Sequence, residues 1–533
     1  MQNRHYFTSL FIMILLLFFA CDGVEPREDI EPEDDNFNKT GMPIVDEQVT
    51  VKFMSGKSSV TMDNYNDTFL WQEYEKMTNM HIDWGHTPND SLEHKRTLDI
   101  VAGDYPEAYY GAKVPDHELL ENGQHGIYLA LDDYIDEYMP NLKSLLDDYP
   151  EIEKGLTFPD GHIYSLPTIY DPEFTSLHSQ IKPYIRKDWL EQLNMDMPET
   201  TEEFYGYLKS VKETDVMGNG QGDEIPFSAM DIDHLFHYLK GSFGIGNRGN
   251  SNEYIDIDPE TGEVRFYPAT EQYKDLLKYM HKLYRENLID QNIYIMDYQE
   301  FTEQGAKGVY GSVLMSNPEE SFSLEDEYIA MPALEGPNGY KSWTFVDSPL
   351  VRRDGFVVTD RNNNIAATLR WVDYFYSEEG AELFFMGKEG ETFEIDNKGN
   401  YIYKSDLTNS EDLSLEHKLA PYFTYMDSGY PGIIYEQFYQ GDASLPLSIE
   451  AMEKLKPDMI DEVWPRFTYT KEELDTLVNI EIDLHKTVDE MRTNFIIGRS
   501  SIDEWDEYIE TLNEIGLSDY LDVKQSAYER YKK

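Results

Sequence analysis

Oxygen-bearing side chains alternate with glycines in one short loop, between positions 215 and 226. Calcium binds six to eight hard oxygen atoms, and a tight glycine-containing loop can point alternate residues toward one centre. Gly220 could make the sharp turn, and Gln221 could supply its backbone carbonyl. Side-chain oxygens could come from Asp215, Asn219, Asp223 and Glu224. The sequence therefore predicts a structural calcium site, with a metal-free acidic surface turn as the alternative.

Motifs for catalysis do not accompany this loop. The sequence contains no Gly-x-Ser-x-Gly elbow, no His-Glu-x-x-His pair and no phosphate-binding loop. Paired carboxylates are uninformative about glycoside hydrolysis in a chain with 103 acidic residues. His234 and His237 lie three residues apart and are interpreted as one helix face rather than a zinc site. We therefore expect a protein that is not an enzyme.

Cys21, the one cysteine of the chain, has a predicted chemical role of its own. It follows an apolar run from Tyr6 to Ala20, which is shorter than the ~20 residues of a membrane-spanning helix. The junction resembles a bacterial lipobox, and a lipid on the thiol would explain a lone cysteine in a secreted protein. We expect residues 1–20 to be a signal peptide and Cys21 to anchor the protein to the outer face of the cell membrane. An ordinary signal peptide, and a secreted product, is the alternative.

Negative charge is spread along the whole chain, with 44 basic and 103 acidic residues and a net charge of −59. Nucleic acids and anionic lipid surfaces are polyanions and are therefore excluded as partners, so membrane contact is expected through the lipid alone. Uronate ligands are disfavoured too, unless a local basic cluster offsets the charge. Residues 21–48 begin with an acidic stretch without apolar periodicity and are expected to form a disordered tether.

The segments that must position these residues alternate between strand and helix patterns. Strands are predicted at 49–53 and 81–84, and helices at 67–77 and 92–102, the latter closed by Gly103. Further helices are predicted over 131–138, 142–146, 187–193, 202–212, 271–286, 365–376, 471–493 and 502–515. Thr200 and Thr470 are good helix caps. The alternation predicts an α/β fold, and 533 residues exceed what one hydrophobic core normally serves.

Six segments follow one another in order: IVAGDYPE at 100–107, LDDYI at 131–135, PDGHIYSLP at 159–167, IRKDWL at 185–190, LYRENLID at 283–290 and WVDYFYSEEG at 371–380. Together they resemble the large family-1 extracellular solute-binding proteins of ABC importers, the branch that includes oligosaccharide-binding lipoproteins. The resemblance extends over nearly the whole chain after the signal peptide.

This resemblance implies a class II periplasmic-binding-protein-like fold, with two α/β lobes and the ligand in a cleft between them. The lobes are expected at 49–167 plus 355–405 and at 168–354 plus 406–533, with hinge strands at 166–170 and 353–356. It also implies a carbohydrate ligand, an oligosaccharide above all, ABC importer permease subunits as partners, and a monomer. The loop at 215–226 resembles the EF-hand-like calcium site of alginate-oligosaccharide-binding relatives. Met217 departs from that pattern, because its thioether stands where an Asn or Asp is expected.

Candidate ligand contacts are aromatic residues near predicted strand ends or lobe crossings, because aromatic rings cover the apolar faces of sugars. They are Trp84, Tyr110, Tyr170 and Trp343. Glu389 and Phe393 are added because their segment resembles one that lines the cleft in relatives. Each has an alternative interpretation as a packed core residue. Two other functions stay open: a secreted carbohydrate-active enzyme, and a surface glycan-binding or sensor protein without an importer.

Overall fold

The computed structural model describes residues 35–408, 413–424 and 429–533. The predicted signal peptide and Cys21 lie outside the described residues. The strands, numbered in chain order, are β1 (Val49–Lys57), β2 (Met80–Pro88), β3 (Ala108–Tyr110), β4 (Leu166–Tyr170), β5 (Lys182–Arg186), β6 (Ile225–Ala229), β7 (Ile255–Ile257), β8 (Val264–Phe266), β9 (Tyr310–Met315), β10 (Tyr328–Ala330), β11 (Leu350–Val358), β12 (Phe393–Ile395), β13 (Tyr401–Tyr403) and β14 (Gly432–Ile434).

Helices connect and cover these strands. They are α1 (Phe69–Thr78), α2 (Leu92–Ala102), α3 (Asp116–Gln124), α4 (Asp132–Tyr138), α5 (Pro140–Asp148), α6 (Pro150–Leu156), α7 (Thr175–His178), α8 (Lys187–Leu193), α9 (Thr201–Glu213), α10 (Ile232–Lys240), α11 (Glu271–Arg285), α12 (Tyr298–Gly305), α13 (Pro318–Phe322), α14 (Ile365–Asp373), α15 (Glu378–Phe385), α16 (Ser405–Thr408), α17 (Leu415–Leu419), α18 (Pro446–Leu455), α19 (Lys471–Ile497), α20 (Trp505–Ile515) and α21 (Leu517–Tyr531). Every predicted helix is confirmed, with ends that differ by no more than a few residues. Within the described part of the chain, no helix has both the length and the apolarity needed to cross a membrane.

Local sequence explains where several helices begin and end. The hydroxyls of Thr200 and Thr470 accept hydrogen bonds from the third helical residues of α9 and α19, whose glutamates bond back to the cap. Such reciprocal capping satisfies backbone donors that a helix start otherwise leaves unpaired. Gly103 ends α2 in the left-handed conformation, with φ of 69°, which glycine adopts at little cost.

A six-stranded sheet, in the order β14-β4-β11-β3-β1-β2, forms the centre of the first lobe. Successive residues of a strand point to opposite faces of a sheet. One face buries Phe53, Tyr110 and Phe356 against α1, α4, α5 and α14. The other face buries Met54, Tyr109 and Val357 with side chains of α2 and α3. The sheet is therefore covered on both sides, as expected for an α/β lobe.

A four-stranded sheet, in the order β10-β5-β9-β6, forms the centre of the second lobe. All six residues of β9 are buried. The apolar faces of α9, α10, α11, α19, α20 and α21 form one continuous core with this sheet. Together the two sheets define a two-lobe α/β fold, which agrees with the predicted fold class.

The predicted boundaries differ from the structure at several places. Residues 168–170 of β4 and 350–354 of β11 fall in the predicted second lobe, although both strands belong to the first sheet. β14 lies in the predicted second lobe at 406–533, whereas it pairs with β4 of the first sheet, with Gly432 opposite Thr168. The predicted disordered tether extends to residue 48, whereas Ile44 and Val45 are buried in the first core. Burial of these two apolar side chains is favourable, and it attaches the end of the acidic segment to the first lobe.

Candidate functional site

The chain crosses between the lobes next to the carboxyl edge of the first sheet. β4 and β14 run parallel to each other, and β11 runs antiparallel to both β3 and β4, so β1 to β4 and β14 share one direction. The crossings follow β4 and β14 and precede β11. Ligands of open α/β sheets bind outside the carboxyl ends of the strands, so this edge is the expected ligand side.

Hydrogen bonds tie the crossing segments together. The two ring nitrogens of buried His178 lie 3.1 Å from the carbonyl oxygen of Asp347 and 3.0 Å from that of Asp171. Ser316, at the end of β9, donates to the carboxylate of Asp442 over 2.6 Å. The ammonium of Lys182 donates to the carbonyl of Ser176 over 3.0 Å, and burial lowers its pKa to about 7. These bonds fix the crossing segments beside the cleft.

A cavity of about 840 Å³, here called the charged chamber, lies where the second lobe meets Asp116 of α3. α10 contributes His237 and Lys240, and the segment before β7 contributes Asn250 and Glu253. The remaining wall comes from Tyr267, α19, α21 and residues 466–469. Its volume is in the range of small-molecule sites.

Most acids of the charged chamber have a basic partner. Asp116 accepts from Arg353 over 2.6 Å, Glu481 from Lys524 over 2.8 Å and Asp489 from Arg492 over 2.8 Å. Lys240 donates to the Asn250 side-chain oxygen over 2.6 Å, and burial lowers its pKa to about 7.

One buried nitrogen of the chamber, His237 Nδ1, has no hydrogen-bond partner among the described residues. Burial lowers the pKa of His237 well below its usual range. The chamber therefore offers many hydrogen-bonding groups and little net charge, which suits a hydroxyl-rich ligand.

A second cavity of about 850 Å³, here called the aromatic chamber, has no lining residue in common with the charged chamber. Its wall in the first lobe consists of residues 60–61, the end of α15, α17 and the segments around residues 423 and 439. Tyr298 and Glu320, at the starts of α12 and α13, face it from the second lobe. The aromatic rings in its wall are those of Tyr298, Phe384, Phe385, Tyr403, Phe423, Phe438 and Tyr439.

Two of the predicted ligand residues pack inside the first lobe. Tyr110 is fully buried, and Trp84 is half-buried with its ring centroid 5.3 Å from that of Tyr110. The indole nitrogen of Trp84 donates to Asn66 over 3.1 Å. The Tyr110 hydroxyl has no hydrogen-bond partner in the described part of the chain. Neither residue lines either chamber.

The other four predicted residues are spread over the molecule. Trp343 is fully buried and donates to Ser179 over 3.0 Å. Tyr170, at the end of β4, is half-buried, and its hydroxyl accepts from Gln180 over 3.3 Å. Phe393 is fully buried, whereas Glu389 is exposed. The structure does not bring the six residues together, and their contact with ligand stays a prediction.

The sequence interpretation did not identify the residues that line the two chambers. His237 was interpreted only as part of a helix face, and it lies in the wall of the charged chamber with Lys240 three residues later. Other members come from positions as distant as Asp116 and Lys524. These residues have no regular spacing in the sequence. The one sequence feature that could have indicated the charged chamber is the pair of polar residues, His237 and Lys240, on the apolar helix α10.

The loop at 215–226 has the turn geometry expected of a calcium loop. The Asp215 carboxylate accepts from the backbone nitrogens of Asn219 and Gly220 over 3.1 and 3.0 Å. Asn219 donates to Asp223 over 3.0 Å. Gly218, Gly220 and Gly222 all have positive φ, which only glycine adopts readily.

The oxygen donors of this loop are fewer than calcium prefers. Glu224 is buried and accepts from the backbone nitrogen of Met217 over 3.1 Å. Among the described residues there is no group of three or more His, Cys, Asp or Glu side chains placed to hold a metal. The turn of the loop and the side chains of Asp215, Asn219 and Asp223 are therefore compatible with calcium. Backbone or water oxygens would have to complete the coordination shell.

The fold has two α/β lobes, several crossing segments and chambers between the lobes. Proteins of this architecture hold a solute by closing their lobes on it. Sequence comparison identifies the group: the profile of the bacterial extracellular solute-binding proteins matches residues 63–382. The chain belongs to this family. It is therefore an extracytoplasmic binding protein and not an enzyme.

Relatives along the whole chain agree with this assignment. The chain is 31% identical over 506 residues to the fructooligosaccharide ABC transporter substrate-binding protein FusA of Streptococcus pneumoniae serotype 4, covering 91% of each chain. A solved structure of an FusA EF-hand mutant in complex with fructo-nystose superimposes with a TM-score of 0.70 at 29% identity, covering 91% of this chain and 99% of that one. An HMO binding ABC-transporter associated solute binding protein from Bifidobacterium longum infantis shares the fold, with a TM-score of 0.76 at 23% identity, covering 92% of this chain and 100% of that one.

Proposed function

We propose that the protein captures an oligosaccharide between its lobes and delivers it to the permease of an ABC importer. The observation that carries this proposal is the similarity to FusA, which spans 91% of both chains and so includes both lobes and the crossings. The chemistry of the chambers supports it, because paired charges and amides in the charged chamber can bind hydroxyls and the rings of the aromatic chamber can cover sugar faces. A monomer is sufficient for this function.

Calorimetry with purified protein tests the proposal. We expect one-to-one binding of at least one member of a panel of fructo-, malto-, xylo- and galacto-oligosaccharides. The variant Asn250→Ala should weaken that binding, because it removes an amide that lines the charged chamber. Asn513→Ala, at an exposed position of α20 that lines neither chamber, is the matched control. The proposal is wrong if no oligosaccharide binds, and the enzyme alternative gains if chromatography shows shortened products.

We also propose that the loop at 215–226 binds calcium as a structural ion. Support comes from the preformed turn around Asp215 and from the similarity to FusA, of which an EF-hand mutant has been solved. Asp215, Asn219 and Asp223 would supply side-chain oxygens, Gln221 its carbonyl, and Glu224 would act after turning away from the Met217 nitrogen.

Metal content and thermal stability test the calcium proposal. We expect calcium to co-purify, and a chelator to lower the melting temperature of the wild type but not of Asp215→Ala. Asp258→Ala is a matched control, because Asp258 also accepts from backbone nitrogens in a turn, over 2.8 Å from Glu260. Met217→Asp should raise calcium affinity. An unchanged melting temperature with chelator, and no bound ion, would contradict the proposal.

The lipid anchor at Cys21 is a further part of the proposed function. One relative, 24% identical over 86% of this chain, is the lipoprotein LipO of Bacillus subtilis. Expression in a bacterial host with a fatty-acid probe should label the wild type and leave Cys21→Ser unlabelled. Equal labelling of the two would contradict the anchor.

A further inference from the structure

A third cavity, here called the basic pocket, differs from both chambers in its charge. It has about 400 Å³ and is formed by α6 and by residues 157–159, 466–468 and 527–533. One carboxylate lines it, that of Glu153, together with four cationic side chains: those of Lys154, Arg466, Arg530 and Lys533. We propose that the basic pocket binds a small soluble ligand that carries a phosphate group. This inference does not depend on the proposed function.

Positive charge is scarce in this chain and is concentrated at the basic pocket. With 103 acidic and 44 basic residues, an average patch of surface carries more acids than bases, whereas this wall shows the reverse. Salt at physiological concentration screens exposed charges over about 8 Å. The side chains of the wall therefore determine the local potential, rather than the net charge of −59.

Two of the four cations are available to a ligand. Lys154 and Arg466 are exposed, and their side chains make no hydrogen bond or ion pair within the described ranges. Arg466 opposes the rise that burial causes in the pKa of Asp347, but it makes no ion pair with that carboxylate. Arg530, by contrast, donates to the carboxylate of Glu473 over 2.7 Å. Lys154 and Arg466 alone therefore outnumber the one acid of the wall.

A phosphate group matches this wall better than a carboxylate. It carries nearly two negative charges at pH 7 and presents several acceptor oxygens. A guanidinium group binds two such oxygens at once, and a lysine binds as a point charge. The rings of Phe158, Phe467 and Tyr531 supply apolar walls, which strengthen the field of charges in a cleft. The volume of the pocket suits a small molecule rather than a polymer.

The basic pocket lies where the two lobes meet. Lys154 belongs to the first lobe and Arg466 to the second, and the hydroxyl of Thr468 donates to the carbonyl of Thr157 across this junction over 3.0 Å. A phosphate group bound by both cations would add a bridge between the lobes and stabilise the folded protein. Arg466 also lines the charged chamber, so the two cavities are neighbours.

Calorimetry of the purified protein with inorganic phosphate, in sodium chloride at constant ionic strength, tests this site. We expect one-to-one binding and a melting temperature that rises with phosphate. Arg466→Gln and Lys154→Gln should each weaken binding about tenfold, the loss expected for one charge-assisted hydrogen bond. Lys212→Gln, at an exposed position of α9 that lines none of the three cavities, is the matched control and should stay within about twofold.

The same measurements show whether the variants have folded. Because Lys154 and Arg466 are exposed, both variants should melt at the temperature of the wild type when phosphate is absent. The site is refuted if phosphate gives neither binding heat nor a higher melting temperature. It is also refuted if Lys212→Gln weakens binding as much as the two pocket variants, since binding would then follow net charge alone.

Two other anions test the chemical class of the ligand. Galacturonate bound more tightly than phosphate would contradict a phosphate site. Binding to vesicles that contain phosphatidic acid, without binding of free phosphate, would contradict a soluble ligand. A wild type that binds phosphate but no oligosaccharide would support this inference and refute only the proposed function.

Discussion

Arg353 joins the two lobes through one buried guanidinium group, which makes its removal a sensitive test of the lobe contact. Its Nε donates to the carbonyl of Gly155 and its Nη1 to the carboxylate of Asp116, each over 2.6 Å. Its Nη2 donates to the carbonyl of Arg466 in the second lobe. The variant Arg353→Met keeps most of the side-chain volume and removes all three bonds.

The expected loss follows from what the variant leaves unpaired. Gly155 is buried, so its carbonyl loses its partner without gaining water, at about 1–3 kcal/mol. The Asp116 side chain is 39% exposed and the Arg466 residue is exposed, so water replaces part of those two bonds. Breaking a fully buried ion pair costs about 3–5 kcal/mol, and partial exposure places this one near the lower end. We expect a loss of about 3 kcal/mol in the free energy of unfolding.

Urea unfolding followed by tryptophan fluorescence measures this loss. Arg361→Met is the matched control, because Arg361 is exposed, donates to the carbonyl of Gly103 over 3.3 Å and otherwise lies over the Tyr105 ring, 5.1 Å from its centroid. We expect that control to lose no more than about 1 kcal/mol. Arg353→Lys keeps the charge but not the three-way geometry and should lie between. A loss below about 1 kcal/mol for Arg353→Met would refute the reasoning.

Three further predictions concern stability. Burial lowers the pKa of Lys182 to about 7, so between about pH 7 and 10 the unfolded chain binds one more proton than the folded chain. The free energy of unfolding should therefore rise with pH in this range, by up to about 1.4 kcal/mol per pH unit from this group. Urea titrations at a series of pH values test this, and an equal slope for Lys182→Met would contradict it. Thr470→Ala should lower the free energy of unfolding by about 1 kcal/mol, because α19 loses its cap. The control Thr476→Ala, within the same helix, should lower it by less than about 0.5 kcal/mol. Equal melting temperatures of the two variants would contradict this prediction. Phe393→Ala should lower the free energy of unfolding by about 3–5 kcal/mol, because its ring is fully buried. Glu389→Ala, at an exposed position, should change it by less than about 0.5 kcal/mol in the same urea assay. Equal losses for the two variants would contradict the packing of Phe393.

Helices and their caps were predictable because their signals are local. The predicted helices at 92–102 and 187–193 have the same ends in the structure as α2 and α8. The strands of the second sheet were not predicted. β9 is buried along its whole length, so its sequence lacks the alternation of apolar and polar residues that indicates a half-exposed strand.

The chambers were less predictable than the fold. Aromatic residues near strand ends were reasonable candidates, but Tyr110 and Trp343 are fully buried. A buried core position and a ligand contact require the same residue types, so composition cannot separate them. Tyr298 faces the aromatic chamber from the start of an amphipathic helix, and its exposure is visible only in the folded chain.

The sequence by itself determined the α/β class, the positions of the helices and, through ordered motifs, membership of a solute-binding family. It also determined the turn of the 215–226 loop, because the glycines and Asp215 act within ten residues of one another. Only the tertiary structure decided the pairing of β14 with the first sheet and the membership of the two chambers. The physical reason is separation along the chain: Asp116 and Lys240, or Tyr298 and Tyr439, become neighbours of one cavity only when both lobes have folded and the crossings hold them together.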